Sequence, residues 1–379
     1  MKIMLAPDSF KDSLSAHAAV RAMAVGIARI DPTIRIDHCP ISDGGEGFVA
    51  AMASASGCEL QRTTVAGPLG EPTDAVWATL SGEVAAIETA AASGLEQLAP
   101  EQRNPMHTTT LGTGELIAEA LRRGCRRVLV GLGGSATTDG GTGMAQALGV
   151  RFYDPGGELI ARPMCGRLLN HITRIDIDNV LPDLAATHID AACDVRNPLT
   201  GLDGAAVIYG PQKGATPEQV AQLDDGLRHF ARLLRDQLDI DIEHLPGAGA
   251  AGGLAAGLLA FGHAVLVPGI GIVLDAVEFD SRVADCDLCL TGEGRLDGQS
   301  LSGKAVMQVA EGAGLHGVPT VALVGSASDD ARICLDQGLA AYHGIADGHP
   351  REYAMRHAAE LLADKAEAVV QEWRDQRGA

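Results

Sequence analysis

Aromatic residues are scarce: six Phe, four Tyr and two Trp in 379 residues. The apolar fraction is nevertheless 46%, so the interior must be built from Ala, Val, Leu and Ile. Long apolar runs are missing too. None approaches the roughly 18 residues that a membrane span needs. The apolar run before Pro7 is only about four residues, too short for the core of a secretory signal, and reads as a first strand. The expected location is therefore cytoplasmic, with no membrane partner. Positive charge is thin, with 29 Lys and Arg against 49 Asp and Glu and a formal net charge of −20. No stretch is strongly basic, which argues against nucleic acid as a partner. An anionic substrate must then be drawn in by a local positive site acting against the overall field. No internal repeat or low-complexity linker is visible. Of the eight cysteines, Cys39, Cys193 and Cys289 sit in apolar stretches, where a reduced thiol acts as a small hydrophobe. Cys286 and Cys289 have C-x-x-C spacing, but on a strand such positions point to opposite faces and no second pair exists, which weighs against zinc or redox chemistry.

Glycine is abundant instead. Its 47 copies exceed the usual ~7% and cluster beside apolar runs, as tight loops between strands and helices would require. Lys2 to Ala6 reads as a buried strand, and Ser15 caps a helix to about Ile30 that Asp31-Pro32 stops. Ile34 to Ile41 is a second strand, and a helix to about Ser56 follows. This βαβα order marks a parallel sheet. After Gly57 the texture changes. Leu60 to Val65 and Asp74 to Leu80 alternate as antiparallel strands, and Val84 to Thr89, Arg127 to Leu132, Arg151 to Tyr153, Ile189 to Val195 and Ala205 to Tyr209 read as further strands. Helices are expected at Glu115 to Arg123, Thr142 to Leu148, Pro217 to Leu238 with a Thr216 cap, and Ala248 to Leu259. Strands return at Asp287–Leu290, Thr320–Val324 and Ala340–Ile345, each expected to precede a helix. The first two and last three strands would form a five-stranded, flavodoxin-like sheet. The expected architecture is thus α/β with two domains: a discontinuous flavodoxin-like, parallel-sheet domain (1–60 and 281–379) and an inserted mixed α/β domain (61–280). The active site would lie in the cleft between them.

The stretch Leu290 to Lys304 carries most of the chemistry. It holds four glycines, two acids (Glu293, Asp297), Arg295, and Gly303-Lys304 at a helix start. Backbone N–H groups at such a start form an anion site, Lys304 adds a charge, and the acids could hold a divalent metal that a polyphosphate brings. Gly298 to Lys304 fit the first seven places of the P-loop pattern, but Ala305 stands where Ser or Thr should bind magnesium, so this is not a P-loop. Other strand-end loops add Asp8, Ser9 and Lys11; Asp43 and Glu46; Gly131 to Gly141; Asp194 to Pro198; and Gly210 to Gly214 with Lys213. Gly131-x-Gly133-x-x-Ala136 matches a dinucleotide fingerprint, but Thr137 to Gly143 delays the helix it needs. Gly247-x-Gly249-x-x-Gly252 also matches, without a convincing strand before it. Amides of Gly133, Gly134 and Ser135 wrapped around phosphate oxygens are the better reading. Asp43, Asp194, Glu293 and Asp297 also suit turns or caps, and His38, His107 and His171 lack metal spacing.

At these loops the chain resembles the bacterial glycerate kinases of type I. The matching segments are Ala6-Pro-Asp-Ser-Phe-Lys-Asp-Ser-Leu-Ser-Ala16, Asp43-Gly-Gly-Glu-Gly47, Gly112-Thr-Gly-Glu-Leu-Ile117, Gly133-Gly-Ser-Ala-Thr-Thr-Asp-Gly-Gly141, Ala192-Cys-Asp-Val-Arg-Asn-Pro-Leu199, Gly210-Pro-Gln-Lys-Gly-Ala215, Gly247-Ala-Gly-Ala-Ala-Gly-Gly253 and Thr291-Gly-Glu-Gly-Arg-Leu-Asp297. They run in order over nearly the whole chain. Cys165-Gly166 departs from an expected Gly-Gly turn. The resemblance implies phosphorylation of D-glycerate by ATP with Mg2+, at the 2-hydroxyl, and the two-domain fold already read. Residue roles follow from the chemistry that phosphoryl transfer needs. Asp194 is the expected group that orients or deprotonates the acceptor hydroxyl, with Asp43 second and Lys11 also at the reacting centre. Gly133, Gly134, Ser135 and Lys304 would take ATP phosphates, Ser9, Arg196 and Arg295 the substrate, and Asp297 and Glu293 the magnesium. The small-molecule partners are D-glycerate and ATP. A homo-oligomer is compatible with the sequence. A solute-binding protein is the rival from another class, but it would normally carry an export signal.

Overall fold

The computed structural model describes residues 1–10, 13–42, 47–80, 83–297 and 305–378. These fall into two compact units, Met1–Asp43 with Ser54–Ser56 and Ile270–Ala379, and Gly44–Ala53 with Gly57–Gly269.

The first unit is organised by an all-parallel sheet. Strand Lys2–Pro7 lies between Arg35–His38 and Leu288–Gly292, and Thr320–Val324 and Ala341–Gly344 follow outward. Counted in chain order, the spatial order is 2-1-3-4-5, the flavodoxin-like arrangement. A parallel sheet must bury both faces, and alternation along one strand shows how. Val321 and Leu323 join Ile3, Leu5, Met23 and Leu362 in one core, while Ala322 and Val324 join Val306, Ala310 and Cys334 in another. Helix Ala16–Ile30 is capped by Ser15, whose side chain accepts the Ala18 N–H. It packs against helix Ala358–Gly378 at Gly26, where a β-carbon would stand 2.0 Å from the Ala363 carbonyl oxygen. Helix Ala305–Leu315 falls in the chain between strands Leu288–Gly292 and Thr320–Val324. After Thr320–Val324 the connection is a 3-10 run, Asp329–Gln337, rather than the expected α-helix.

The second unit holds a six-stranded mixed sheet. Strands Val265–Val267, His188–Ala192, Arg127–Gly131 and Val84–Glu88 are parallel, and the meander Leu60–Ala66, Pro72–Thr79 pairs antiparallel onto the last of them. Helix Pro217–Leu238 has the expected Thr216 cap, and Gln219 completes it as a reciprocal capping box with Pro217 inside. Its apolar stripe, Leu223, Leu227, Phe230 and Leu234, is buried. Ala205–Tyr209 is a helix and not the expected strand. Its alternation is too short to distinguish the two periods, and packing of Ala205 and Ala206 into the core with Leu223 and Leu227 decides for the helix. Aliphatic residues and alanine dominate both units, and Trp77 is the largest fully buried side chain. All eight cysteines are free thiols, six of them buried. Burial pushes the Cys39 thiol up to about 12, so it is inert. No helix among the described residues is long and apolar enough to cross a membrane.

Candidate active site

In parallel sheets, functional loops leave the carboxyl ends of the strands, and the register fixes which loops share that edge. In the second unit Glu88 pairs Gly131, Gly131 pairs Ala192, and Ala192 pairs Val267. The chain therefore leaves at 89, 132, 193 and 268 on one edge. That brings Gly133, Gly134 and Ser135 to the same edge as Asp194 and Arg196.

The loop from Gly133 to Gly141 is held from several sides. Gly134 takes φ of 71°, its carbonyl accepts the Leu95 N–H at 2.8 Å, and the Ala136 N–H donates to the Ser93 carbonyl at 2.8 Å. These bonds leave the N–H groups of Gly133, Gly134 and Ser135 without an acceptor among the described residues. Three successive donors beside a left-handed glycine suit an anion. Farther along, Asp139 is fully buried. Its carboxylate accepts the Thr110 N–H and Oγ1–H, both at 2.8 Å, and the N–H groups of Gly141 and Gly143 at 3.1 and 3.3 Å. Burial raises its pKa above the ordinary carboxylate value, although those donors pull the other way. Four donors on two oxygens have no use for a carboxyl proton, so the group is ionised.

Lys213, from the turn Pro211–Lys213, is buried beneath the same loop. Its Nζ donates to Ser135 Oγ at 2.8 Å and to the Thr137 carbonyl at 2.7 Å. Burial lowers its pKa from 10.5 to about 7, against the opposing field of Asp139. The Gly210–Gly214 motif thus joins the Gly133–Gly141 motif in a single polar cluster. The floor of that cluster comes from a third motif. Helix Ala250–Gly262 begins with a left-handed run at Ala251, Gly252 and Gly253. A β-carbon on Gly252 would lie 1.9 Å from the Thr137 carbonyl oxygen, and one on Gly257 would lie 2.8 Å from Gly141 Cα. The Gly140 N–H donates to the Gly252 carbonyl at 3.1 Å, and the Gly249 N–H to the Asn197 carbonyl at 3.0 Å. So the glycines of 247–253 seat the loops carrying Ser135 and Asp194.

Asp194 is exposed, and one of its oxygens accepts the Gly269 N–H at 3.0 Å, which fixes the carboxylate at the strand edge. Arg196 is exposed beside it. In the first unit, Pro7 pairs Gly292, so Ser9 and the Glu293–Asp297 loop leave together. The Asp8 N–H donates to the Gly292 carbonyl at 2.9 Å, and Arg295–Leu296 forms a short parallel ladder with Ser326–Ala327. The Arg295 guanidinium, largely exposed, lies 3.8 Å from the Asp297 carboxylate. Lys11, Asp43 and Lys304 lie outside the described residues. No group of three or more His, Cys, Asp or Glu side chains among the described residues gathers as a metal cage.

Sequence reasoning gave no role to Asp139 or Thr110, and placed Lys213 only in a strand-end loop, as a charge for phosphate or a substrate carboxylate. Asp139 reads as a turn residue among glycines, and only a buried position three residues from Ala136 reveals it as an anchor. The signal available was the grouping itself: Asp139 and Lys213 are opposite charges inside two glycine motifs.

The family model described as the glycerate kinase family matches residues 3–374. The chain is 43% identical over 376 residues to a glycerate kinase of Halalkalibacterium halodurans, covering 98% of each chain. It is 44% identical over 346 residues to the glycerate 2-kinase of Escherichia coli K12, covering 91% of this chain and 90% of that one. A crystal structure from Salmonella typhimurium LT2, of a protein provisionally named glycerate kinase 2, superposes with a TM-score of 0.88 at 42% identity over the full length of both chains.

Proposed function

This chain belongs to the glycerate kinase family, and on that premise we propose that it transfers the γ-phosphoryl of Mg-ATP to the 2-hydroxyl of D-glycerate, giving 2-phosphoglycerate and ADP. The observation that carries the reading is the row of N–H donors at Gly133, Gly134 and Ser135 that have no acceptor among the described residues, set at a sheet's carboxyl edge over a buried Lys213. Such an array suits the equatorial oxygens of a transferring phosphoryl group, where catalysis is chiefly positioning and charge stabilisation. Likeness to a relative named glycerate 2-kinase supports the 2-hydroxyl as acceptor.

Asp194 is proposed to orient or deprotonate that hydroxyl. It is exposed at the strand edge and braced by the Gly269 N–H, so it can meet a substrate in a fixed orientation. Asp43 and Lys11 are proposed to assist it, and Lys304 to hold phosphate, on sequence grounds. Ser9, Arg196 and Arg295 are proposed to bind glycerate; Arg196 and Arg295 are both exposed, and a guanidinium can fork onto a carboxylate. Magnesium in nucleotide sites takes one or two carboxylates and completes its shell with phosphate oxygens and water. Glu293 and Asp297, two carboxylates on one strand-end loop, fit that donor set. When bound, the ion would supply positive charge that offsets the charge of the phosphates.

Asp194→Asn should keep the fold and lower kcat for ADP release by roughly 10²-fold or more. A near-wild-type kcat removes Asp194 from the reaction. Turnover of glycerate by the native protein should fall in the range of about 1–100 s⁻¹. Glycerate binding with no ATP turnover would favour a solute-binding protein instead.

A further inference from the structure

Lys213 is only 3% exposed, so it cannot meet a substrate directly. An ammonium has three N–H donors and no acceptor. By donating to Ser135 Oγ at 2.8 Å it occupies a lone pair of that hydroxyl. The hydroxyl hydrogen must then point elsewhere, on a loop whose Gly133, Gly134 and Ser135 amides are themselves unpaired donors among the described residues. Lys213 is in turn fixed by the Thr137 carbonyl at 2.7 Å, and that carbonyl is braced from behind by Gly252. We propose that Lys213 is a positioning residue acting through Ser135: it makes that hydroxyl a donor toward a nucleotide phosphate held by the Gly133–Ser135 amides.

A neutral amine would reverse the polarity. It could accept from the Ser135 hydroxyl, still donate to Thr137, and leave serine lone pairs facing the phosphate. Burial brings the Lys213 pKa to about 7, so both arrangements lie near ordinary pH. Asp139, on the loop above it, is the charge among the described residues whose field reaches it, and it favours the ammonium. A bound phosphate adds to that preference. The inference rests on the proposed nucleotide role of the Gly133–Ser135 loop.

The test is calorimetric titration of Mg-ATP into the wild type, Ser135→Ala, Lys213→Met and the double variant, from pH 6 to pH 8.5. Circular dichroism checks the fold of each. At pH 6.5 each single variant should weaken ATP about tenfold, the loss of one charge-assisted bond. The double variant should be no weaker than Lys213→Met, since both changes remove one interaction. Wild-type affinity should fall as pH rises through 7, and the Ser135→Ala profile should be flatter. Additive losses, or the same pH profile in wild type and Ser135→Ala, overturn the inference. If Lys213→Met does not fold, the two pH profiles decide alone. A folded wild type that binds no ATP overturns the nucleotide role of the loop, and the inference with it.

Discussion

Asp139 carries a charge in a place where water cannot reach it, and such a group persists only because donors replace the water. Thr110 supplies two of them and accepts in turn from the Met144 N–H at 2.8 Å, so helices Leu111–Arg122 and Thr142–Ala147 are tied through a single carboxylate. Asp139→Ala would strand several buried N–H groups, each costing roughly 1–3 kcal/mol. Urea unfolding should show a loss of about 3 kcal/mol or more, and a loss below about 1 kcal/mol would contradict the anchoring role. Lys213 makes a separate prediction about pH. Its folded pKa is depressed from 10.5 to about 7, so the unfolded chain binds more protons between those values. Stability must therefore rise with pH across that window and gain nothing further above it. The melting temperature of the wild type relative to Lys213→Met should climb from pH 7 to pH 9. A constant difference over that range would mean that the lysine is not held in the buried state described.

At the scale of elements, the supporting role of glycine is the main result. Gly252 takes φ of 67°, and its missing β-carbon leaves room for the Thr137 carbonyl at what would be 1.9 Å. Gly124 also has positive φ, at 86°, but its surroundings are open. Alanine at Gly124 should cost about 1–2 kcal/mol, the strain of the left-handed backbone alone. Gly252→Ala adds a collision with the Thr137 carbonyl, on the loop that carries Ser135 and to which Lys213 donates. It should be destabilised by clearly more than Gly124→Ala in thermal melts and should raise the KM for ATP severalfold, whereas equal effects would show that the helix start does not support the loop. Not all of this was legible in the sequence. The Thr216 cap fixed one helix start, because a capping side chain acts within one turn of backbone; its reciprocal partner Gln219 came from the structure. The glycine run at 247–253 matched a dinucleotide fingerprint for a different reason: close backbone approach selects glycine whichever partner approaches, a cofactor or another loop. Ala205–Tyr209 was misread because five residues of Ala, Val, Ile and Tyr satisfy either period, and the neighbours that decide lie outside the local pattern.

For the molecule as a whole, the strand order of the first unit was readable because βα alternation leaves few topologies once connections run right-handed. Strand-end loops were readable for the same reason, since the parallel register sends them to one edge. Which charges are buried was not. Lys213 and Asp139 sit among the same glycines as their exposed neighbours, and only packing distinguishes an anchor from a ligand. The chain's −20 charge sharpens the functional question, because the proposed reaction needs two anionic substrates gathered by a few local donors. The most direct test of the account is the product itself. The native protein is incubated with Mg-ATP and D-glycerate, and the product is passed to enolase without a phosphoglycerate mutase. Immediate formation of phosphoenolpyruvate, matched to ADP release, is the predicted result and identifies 2-phosphoglycerate. ADP release with no enolase signal until mutase is added would contradict transfer to the 2-hydroxyl.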